Sequence, residues 1–301
     1  MSRSNRSEPI NERFLRRWPL PSADPGGNKE TRGAALVVGG APQMPGAVIL
    51  AATAALRAGA GKLQIATGRS VASLVAAQVP EALVIGLPET RKGGIAPSAA
   101  REIERRSASA DAVLIGPGMV DPDASARLVL DLLSRLKGKR LVLDAEAMAC
   151  ASLDPGAFAA TKADVAVTPH SREMAQMLEL PVPQVERDPA ATALRAARVL
   201  QAVVALKGAE TFIAAPSGRL LCNRDAGNAG LGTSGSGDTL SGVVVGLAAR
   251  GAPLLQAAAW GVFLHARAGD VLARKVGPLG YLARELLAEI PREMARLSRR
   301  R

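Results

Sequence analysis

The sequence predicts an α/β fold in which helices cover both faces of a mostly parallel sheet, giving three layers. Short apolar runs alternate along the chain with longer segments rich in alanine and leucine. The runs are continuously apolar, which is typical of strands that are buried on both faces of a parallel sheet. With 301 residues and a hydrophobic content of 48%, the chain is long enough to bury such a core.

Seven short apolar runs are the predicted parallel strands. They lie at residues 34–38, 63–67, 82–86, 112–116, 141–144, 165–168 and 203–206. The later stretch "TFIAAPSGRLLCN" (211–223) has a turn between two β-prone runs, and it predicts a hairpin at one edge of the sheet.

The segments between the runs predict helices, because they are longer than a strand and rich in helix-forming residues. The predicted helices lie at 47–58, 124–136, 190–200, 238–250, 254–274 and 279–298. The sequence has no internal repeat and no linker, so residues 29–298 are predicted to form a single domain. Residues 1–28 are polar and rich in proline, and are predicted to be an arm on its surface that is too short for a second domain.

The composition limits the classes of partner. The formal net charge of +11 indicates an anionic partner, but many of the arginines lie near the two chain ends and are interpreted as solvated tails. Aromatic residues, at 2%, are too scarce for a base-stacking surface, so no nucleic-acid partner is predicted. Two cysteines without metal or redox spacing fit a reducing compartment, and no segment resembles a signal or a membrane span. A cytoplasmic protein with no membrane partner is therefore predicted.

Glycine or polar residues directly follow five of the apolar runs. The five loops are "VVGGAPQMPGA", "LIGPGM", "LVLDAEA", "VTPHSRE" and "LKGAET". In an open parallel sheet these positions share the edge formed by the carboxyl ends of the strands, where ligands bind. The loops therefore predict a ligand site at this edge.

The stretch "GLGTSGSGDTLSG" (230–242) places glycines and small hydroxyl residues before a single carboxylate, Asp238. The amides of Gly235, Ser236 and Gly237 are predicted to form an anion hole at a helix start, because glycine lets a phosphate approach the backbone closely. Asp238 would then accept the proton of a hydroxyl that attacks phosphorus. The alternative is that Asp238 is only a helix N-cap and the glycines only a turn. Taken alone, the stretch favours neither interpretation.

Other residues at the same edge each have a functional and a structural interpretation. His170 either contacts a substrate or caps the helix that follows it, and the first is favoured. Lys207 either holds a phosphate or is a surface lysine. Asp144 and Glu146 are either a helix cap or carboxylates near a bound cation. His265 lies within a helix and is predicted to be structural, beneath the site.

Seven motifs occur together in one order: "RGAALVVGGAPQMPGA", "GPGM", "LDAEA", "TPHSRE", "LKGAET", "GNAGLGTSGSGDTLSG" and "FLHARAGD". In this order they resemble the ADP/ATP-dependent NAD(P)H-hydrate dehydratases of the ribokinase-like superfamily, with their carbohydrate-kinase-like domain, from about residue 29 to about residue 291. The resemblance implies a ribokinase-like three-layer α/β/α sandwich. The family's phosphate segment usually reads G-N-P-G-M-A-T-G-G-T-G-D. This chain departs from it at Ala229, Leu231, Gly232, Ser234 and Ser236.

The resemblance also implies a role for each residue of the site. The residues implied to contact the hydrated nicotinamide nucleotide are Ala47, Gly118, His170 and Asp238. Those implied to hold the adenine nucleotide are Lys207, Gly208, Ala209, Glu210, Thr211 and Gly237. Members of the family typically depend on Mg²⁺, through ligands that the sequence does not identify, and form tetramers. The N-terminal epimerase domain of some members is not expected here.

The activity implied by the resemblance is coenzyme repair. The S epimer of NAD(P)H hydrate is dehydrated to NAD(P)H with ADP or ATP as co-substrate. Phosphorylation turns the ring hydroxyl into a good leaving group, and phosphate is then eliminated. Asp238 would be the base, and residues 235–237 the anion hole.

Two other functions stay open. A ribokinase-like kinase of a vitamin precursor, of the hydroxyethylthiazole type, would share the anion hole and Asp238 but leave a stable phosphorylated product. A nucleotide-sensing or basic nucleic-acid-binding protein that has lost catalysis would have no need of Asp238.

Overall fold

The computed structural model describes residues 7–22 and 28–298. The strands in this part of the chain are β1 (Glu8–Pro9), β2 (Ala34–Val38), β3 (Lys62–Gly68), β4 (Leu83–Leu87), β5 (Ala112–Ile115), β6 (Arg140–Leu143), β7 (Asp164–Val167), β8 (Val203–Leu206), β9 (Thr211–Ala214) and β10 (Leu220–Asn223). Its helices are α1 (Glu12–Arg17), α2 (Pro45–Arg57), α3 (Ala72–Gln78), α4 (Ala100–Ser107), α5 (Pro122–Arg135), α6 (Cys150–Leu153), α7 (Pro155–Ala160), α8 (Ser171–Met177), α9 (Val182–Arg187), α10 (Pro189–Leu200), α11 (Ser236–Ala249), α12 (Leu254–Lys275) and α13 (Ala283–Ser298). None of these helices is both long enough and apolar enough to cross a lipid bilayer.

The strands form one sheet, in the order β1-β10-β9-β8-β7-β6-β5-β2-β3-β4. Every neighbouring pair from β4 to β8 is parallel, whereas β9 is antiparallel to both β8 and β10. The predicted mostly parallel sheet is confirmed. The predicted strands and helices are all present, with ends that differ by a few residues.

Strand β2 shows how both faces of the sheet are covered. Ala35 and Val37 belong to one core cluster, and Leu36 and Val38 belong to the other. Successive side chains of a strand point to opposite faces, so a strand between two helical layers must be apolar at every position. Helices α2, α11, α12 and α13 cover the first face, and α5 and α10 cover the second. The result is the predicted three-layer α/β/α sandwich.

The order of the strands changes direction at β2. The chain leaves β2 toward β3 and β4 and then returns to place β5 on the other side of β2. Open α/β sheets bind ligands outside the carboxyl ends of the strands at such a switch point. The loops after β2 and β5 are in contact there, since Gly40 N donates to Pro117 O at 2.8 Å.

Helix α11 begins at the same edge because of how it packs on α2. Gly242 and Gly246 lie against the backbone oxygens of Ala51 and Ala55, and a side chain at either glycine would overlap them. Residues four apart share one face of a helix, so the two glycines let the helix backbones approach closely. This contact fixes the N-terminus of α11 next to the loop after β2.

The N-terminal arm differs from the prediction, because part of it joins the domain. Ile10 N donates to Cys222 O at 2.8 Å, and Ile10 and Leu15 are fully buried. Trp18 O accepts a hydrogen bond from Trp260 Nε1 at 2.8 Å. Strand β1 therefore covers β10, so the predicted hairpin is not at the sheet edge. The prediction missed this because the arm is polar overall and only a few isolated apolar residues in it reach the core.

Candidate active site

Asp238 lies in the first turn of α11 and is not its N-cap. The N-cap is Gly235, which has a φ of +85°, and no side chain caps this helix. A side chain at position 235 would be strained at this φ and would overlap Leu50. The interpretation of Asp238 as a helix cap is therefore excluded by the geometry.

The first turn of α11 carries backbone N–H groups that are available to an anion. Within residues 7–22 and 28–298, the amides of Gly235, Gly237 and Asp238 have no backbone acceptor outside the helix. Ser236 N donates to Thr233 O at 3.2 Å. The amide of Ser236 is thus already bonded, which differs from the prediction for the anion hole. The glycine amides keep the geometry expected of a phosphate site at a helix start.

Lys207 follows β8 directly and is held in place by carboxylates. Its Nζ is 3.3 Å from Asp144 Oδ1 and 3.9 Å from Glu173 Oε2. Asp144 is 2% exposed and also accepts a hydrogen bond from Thr168 Oγ1 at 2.7 Å. A Cβ atom added at Gly237 would lie 3.4 Å from Lys207 Nζ. Lys207 therefore reaches the start of α11, which favours a phosphate contact over a surface lysine.

These charges set the protonation of the site. Burial disfavours the charged form of Lys207, but the carboxylates of Asp144 and Glu173 outweigh it and hold the pKa of Lys207 above its usual value. Burial raises the pKa of Asp238 to about 6, and the charge of Asp144 contributes to the rise while Lys207 opposes it. A carboxylate with this pKa is mostly ionised at neutral pH and is a stronger base than an ordinary aspartate.

Asp238 lines a cavity of about 530 Å³. Ala47 and Gly118 also line it, so the structure brings together three of the residues implied to contact the nicotinamide nucleotide. Glu146 lies in the same wall, and burial followed by the charge of Glu173 raises its pKa. The remaining wall is unusually rich in methionine: it contains Met44, Met119, Met148 and Met177. Methionine adapts to irregular shapes, so this wall suits a large ligand.

A second cavity, of about 670 Å³, is lined by Gly237, the residue next to Asp238. The residues implied to hold the nucleotide that line this cavity are Lys207, Gly208, Ala209, Thr211 and Gly237. Glu210 does not line it, because its Oε2 lies 3.7 Å from the guanidinium of Arg224. The nucleotide contact predicted for Glu210 is thus not apparent in the geometry.

His170 is the N-cap of α8. Its Nδ1 accepts from Arg172 N at 3.1 Å and from Glu173 N at 3.2 Å, and Glu173 Oε2 accepts from His170 N at 2.8 Å. The ring lines the larger cavity, with Lys207, and not the smaller one. His170 therefore caps α8. Because it lines the cavity of Lys207 and not that of Asp238, its predicted contact with the nicotinamide nucleotide stays a prediction.

Two polar residues that support the site were given no role of their own from the sequence. Thr168 donates to Asp144, but at the end of an apolar run it resembles any strand residue. Asn228 Oδ1 accepts from Tyr281 at 2.8 Å and from Gly230 N at 3.0 Å, which holds the loop before α11. The sequence does give one indication that Asn228 belongs to the site, which is its position in the glycine-rich stretch before α11.

The carboxylates of the site suit a cation that is bound jointly by protein and nucleotide better than a cation that is bound by protein alone. Among the described residues, no three His, Cys, Asp or Glu side chains are arranged to hold a metal ion. Mg²⁺ at nucleotide sites usually takes one or two carboxylates together with phosphate oxygens and water. Asp144 and Glu173 are close enough to Asp238 for their charges to raise its pKa. This donor set fits Mg²⁺ that arrives with a nucleotide.

Comparison with known sequences gives consistent matches over most of the chain. The sequence model of a family described as NAD(P)H-hydrate dehydratase matches residues 35–292. A protein of Xanthomonas campestris described as ADP-dependent (S)-NAD(P)H-hydrate dehydratase is 47% identical over 285 residues, which cover 95% of each chain.

Solved structures show the same architecture. A ribokinase-like superfamily protein of Enterococcus faecalis has a TM-score of 0.83 and 26% identity, over 99% of this chain and 98% of that one. The ADP/ATP-dependent NAD(P)H-hydrate dehydratase of Bacillus subtilis, co-crystallised with ATP and Mg²⁺, has a TM-score of 0.80 and 29% identity, over 97% and 99% of the two chains. The fold is therefore ribokinase-like.

Proposed function

The chain belongs to the NAD(P)H-hydrate dehydratase family, and on this basis we propose that it converts the S epimer of NAD(P)H hydrate to NAD(P)H, with ADP or ATP as co-substrate. It is then a hydro-lyase that repairs a damaged nicotinamide coenzyme. The hydroxyethylthiazole-type kinase is not favoured, because the similar Xanthomonas and Bacillus proteins are both described as dehydratases.

The observation that carries the proposal is that two adjacent residues line two different cavities. Gly237 lines the larger cavity with Lys207, and Asp238 lines the smaller one with Ala47 and Gly118. A phosphoryl group that passes between two ligands must lie between them and beside the base. We therefore assign the adenine nucleotide to the larger cavity and the hydrated nicotinamide to the smaller one.

The reaction follows from this placement. Asp238 takes the proton of the ring hydroxyl, whose oxygen attacks the terminal phosphorus of the nucleotide, and the nucleotide leaves one phosphate shorter. The electron pair of the ring nitrogen then expels the phosphate from the neighbouring carbon. Loss of a proton from the next carbon restores the ring double bond, so NAD(P)H and inorganic phosphate are the products.

The charge on the transferred group is balanced by groups at the start of α11. The amides of Gly235 and Gly237 at the helix start would face it, and Lys207 would supply a fixed positive charge beside them. Donors that are already oriented stabilise charge in the transition state at little reorganisation cost. Mg²⁺ held by the phosphates with Asp144 or Glu173 would neutralise further phosphate charge.

The test is to incubate the purified chain with NADH hydrate, ADP and Mg²⁺, and to follow dihydronicotinamide absorbance together with phosphate release. Both signals are expected to rise in parallel, and neither is expected when ADP or Mg²⁺ is left out. Recovery of absorbance at the full rate without nucleotide would refute the mechanism. Hydroxyethylthiazole with ATP is the control for the kinase, which would form a stable phosphorylated alcohol.

We also propose that the protein is a homo-tetramer in the cytoplasm. The tetramer is supported by the family resemblance. The reducing compartment is supported by Cys150 and Cys222, which are both buried and unpaired. Light scattering of the purified chain is expected to give the mass of four chains, and the mass of one chain would refute the tetramer.

A further inference from the structure

Ser236 and His265 form a buried hydrogen bond at the start of α11. Ser236 Oγ lies 3.0 Å from His265 Nε2, and the two residues are 4% and 8% exposed. Both line the larger cavity beside Gly237. The pair therefore lies against the place where the proposed function puts the transferred phosphate.

The backbone of Ser236 has little to offer an anion, because its N–H already donates to Thr233 O at 3.2 Å. Its side chain can contribute only if its hydroxyl hydrogen is free. If the ring of His265 accepts that hydrogen, the hydroxyl turns its lone pairs toward the phosphate and repels it. If the ring donates instead, the hydroxyl hydrogen is left for the ligand. The direction of this hydrogen bond therefore decides whether the Ser236 hydroxyl can donate to a phosphate.

The surroundings of His265 favour a neutral ring, because burial lowers its pKa to about 4 and the charge of Lys207 lowers it further. A neutral imidazole carries one hydrogen, on either ring nitrogen, and Nε2 is the nitrogen that faces Ser236. Only the form with its hydrogen on Nε2 leaves the hydroxyl hydrogen of Ser236 free for a ligand. A phosphate at the start of α11 therefore selects the form that donates from Nε2.

We propose that the Ser236 hydroxyl is a side-chain donor of the anion hole, and that His265 is a positioning residue that orients this hydroxyl by donating from Nε2 to Ser236 Oγ. The inference rests on the proposed function for the identity of the anion, which is the phosphoryl group in transfer. The donor itself serves any phosphate at the start of α11. Ser236 thus acts through its side chain and not through its amide.

The expected size of the effect follows from other anion holes. Removal of one donor from an oxyanion hole lowers kcat by roughly 100- to 1,000-fold. The amides of Gly235 and Gly237 remain in place here, so a smaller loss, of about 30- to 100-fold, is expected. The loss falls on kcat because the donor meets charge that develops during transfer.

The test compares kcat and the KM for ADP in Ser236→Ala, Ser236→Thr, His265→Phe and the double variant Ser236→Ala/His265→Phe. Ser236→Ala and His265→Phe are each expected to lose about 30- to 100-fold in kcat, with a rise in the KM for ADP of no more than several-fold, in line with weaker ground-state binding of phosphate. Ser236→Thr keeps the hydroxyl and should stay within a few-fold of the wild type. The double variant should be no slower than the slower single variant, because both changes act through one hydroxyl. Ser107→Ala removes a buried serine hydroxyl that donates to Glu104 O within α4, and is the control expected to keep full activity.

Two results would overturn the inference. One is a folded His265→Phe variant with the kcat of the wild type. The other is a double variant whose loss is the product of the two single losses, which would indicate separate structural effects.

Calorimetry with inorganic phosphate separates this inference from the proposed function and does not depend on His265→Phe folding. Ser236→Ala is expected to bind phosphate several-fold more weakly than the wild type, whether or not the wild type dehydrates NADH hydrate. Weaker phosphate binding without any hydrate turnover in the wild type would refute the proposed function alone. Equal phosphate affinity in the two proteins would overturn the role of Ser236.

Discussion

Lys207 Nζ lies 3.3 Å from Asp144 Oδ1, in a pair whose aspartate is 2% exposed. Thr168 donates to the same oxygen at 2.7 Å, so the carboxylate has partners from two neighbouring strand ends. A lysine that is bonded to a buried carboxylate keeps its ammonium in one place. Lys207 therefore presents a fixed positive charge to the start of α11.

Lys207→Met tests the assignment of the two cavities. We expect the KM for ADP to rise by about tenfold or more, and by more than the KM for the hydrate, because Lys207 Nζ lies beside the cavity assigned to the nucleotide. Unfolding should become easier by about 2 kcal/mol, since Asp144 loses a partner while buried. Steady-state kinetics with each substrate varied, together with denaturant unfolding, measure both effects.

The control for that variant is Lys162→Met, a change to an exposed lysine before β7 at the opposite edge of the sheet. It is expected to leave both KM values unchanged. A larger rise in the KM for the hydrate than for ADP in Lys207→Met would mean that the two cavities are assigned in reverse.

Gly235→Ala tests whether activity requires the observed position of the first turn of α11. Gly235 and Gly138 both have positive φ, but an added Cβ would overlap Leu50 at Gly235 and would meet open space at Gly138. Gly138→Ala should cost about 1 kcal/mol for the left-handed backbone alone and leave kcat unchanged. Gly235→Ala should cost more and lower kcat by at least about tenfold, because small displacements at a reacting centre are costly. Equal effects of the two changes on stability and kcat would argue against this placement.

The pH dependence of kcat/KM reports the protonation of Asp238. Because a base must be ionised to accept a proton, kcat/KM should rise with pH, with a midpoint near the Asp238 pKa of about 6. Asp144→Asn removes a charge that raises this pKa and should move the midpoint down. Lys207→Met removes a charge that lowers it and should move the midpoint up. Rate profiles in which neither variant moves the midpoint would disprove its assignment to Asp238.

The strands could be predicted from the sequence because burial on both faces demands apolar residues at every position, as at Leu36 and Val37. The N-terminal arm could not, because its place depends on two isolated residues, Ile10 and Leu15, within a polar segment. A strand as short as Glu8–Pro9 has too few residues for any hydrophobic period to be read.

The positions of Lys207 directly after a strand and of Asp238 in the first turn of a helix could be predicted from residue type and place in the chain, and their roles stay predictions. The sequence does not predict the geometry where two partners compete for one group. The amide of Ser236 donates to Thr233 O, and the carboxylate of Glu210 pairs with the guanidinium of Arg224. Residue types do not determine such choices, because each depends on the path of the loop.

Asp238→Asn is the variant that decides whether this carboxylate is the base. Asparagine keeps the size of aspartate, so the fold and the cavities should persist. The raised pKa of Asp238 means that its stabilising effect is present below about pH 4 and is lost as pH rises through about 6. At neutral pH, asparagine should therefore not lower the melting temperature.

The decisive measurement is kcat of Asp238→Asn with NADH hydrate, ADP and Mg²⁺, made beside the Kd for ADP and the melting temperature. The expected result is a loss in kcat of about 100- to 10,000-fold, with the Kd for ADP unchanged or slightly tighter because a negative charge near the phosphates is gone. Turnover within a few-fold of the wild type, in a protein that still binds ADP, would show that Asp238 is not the base.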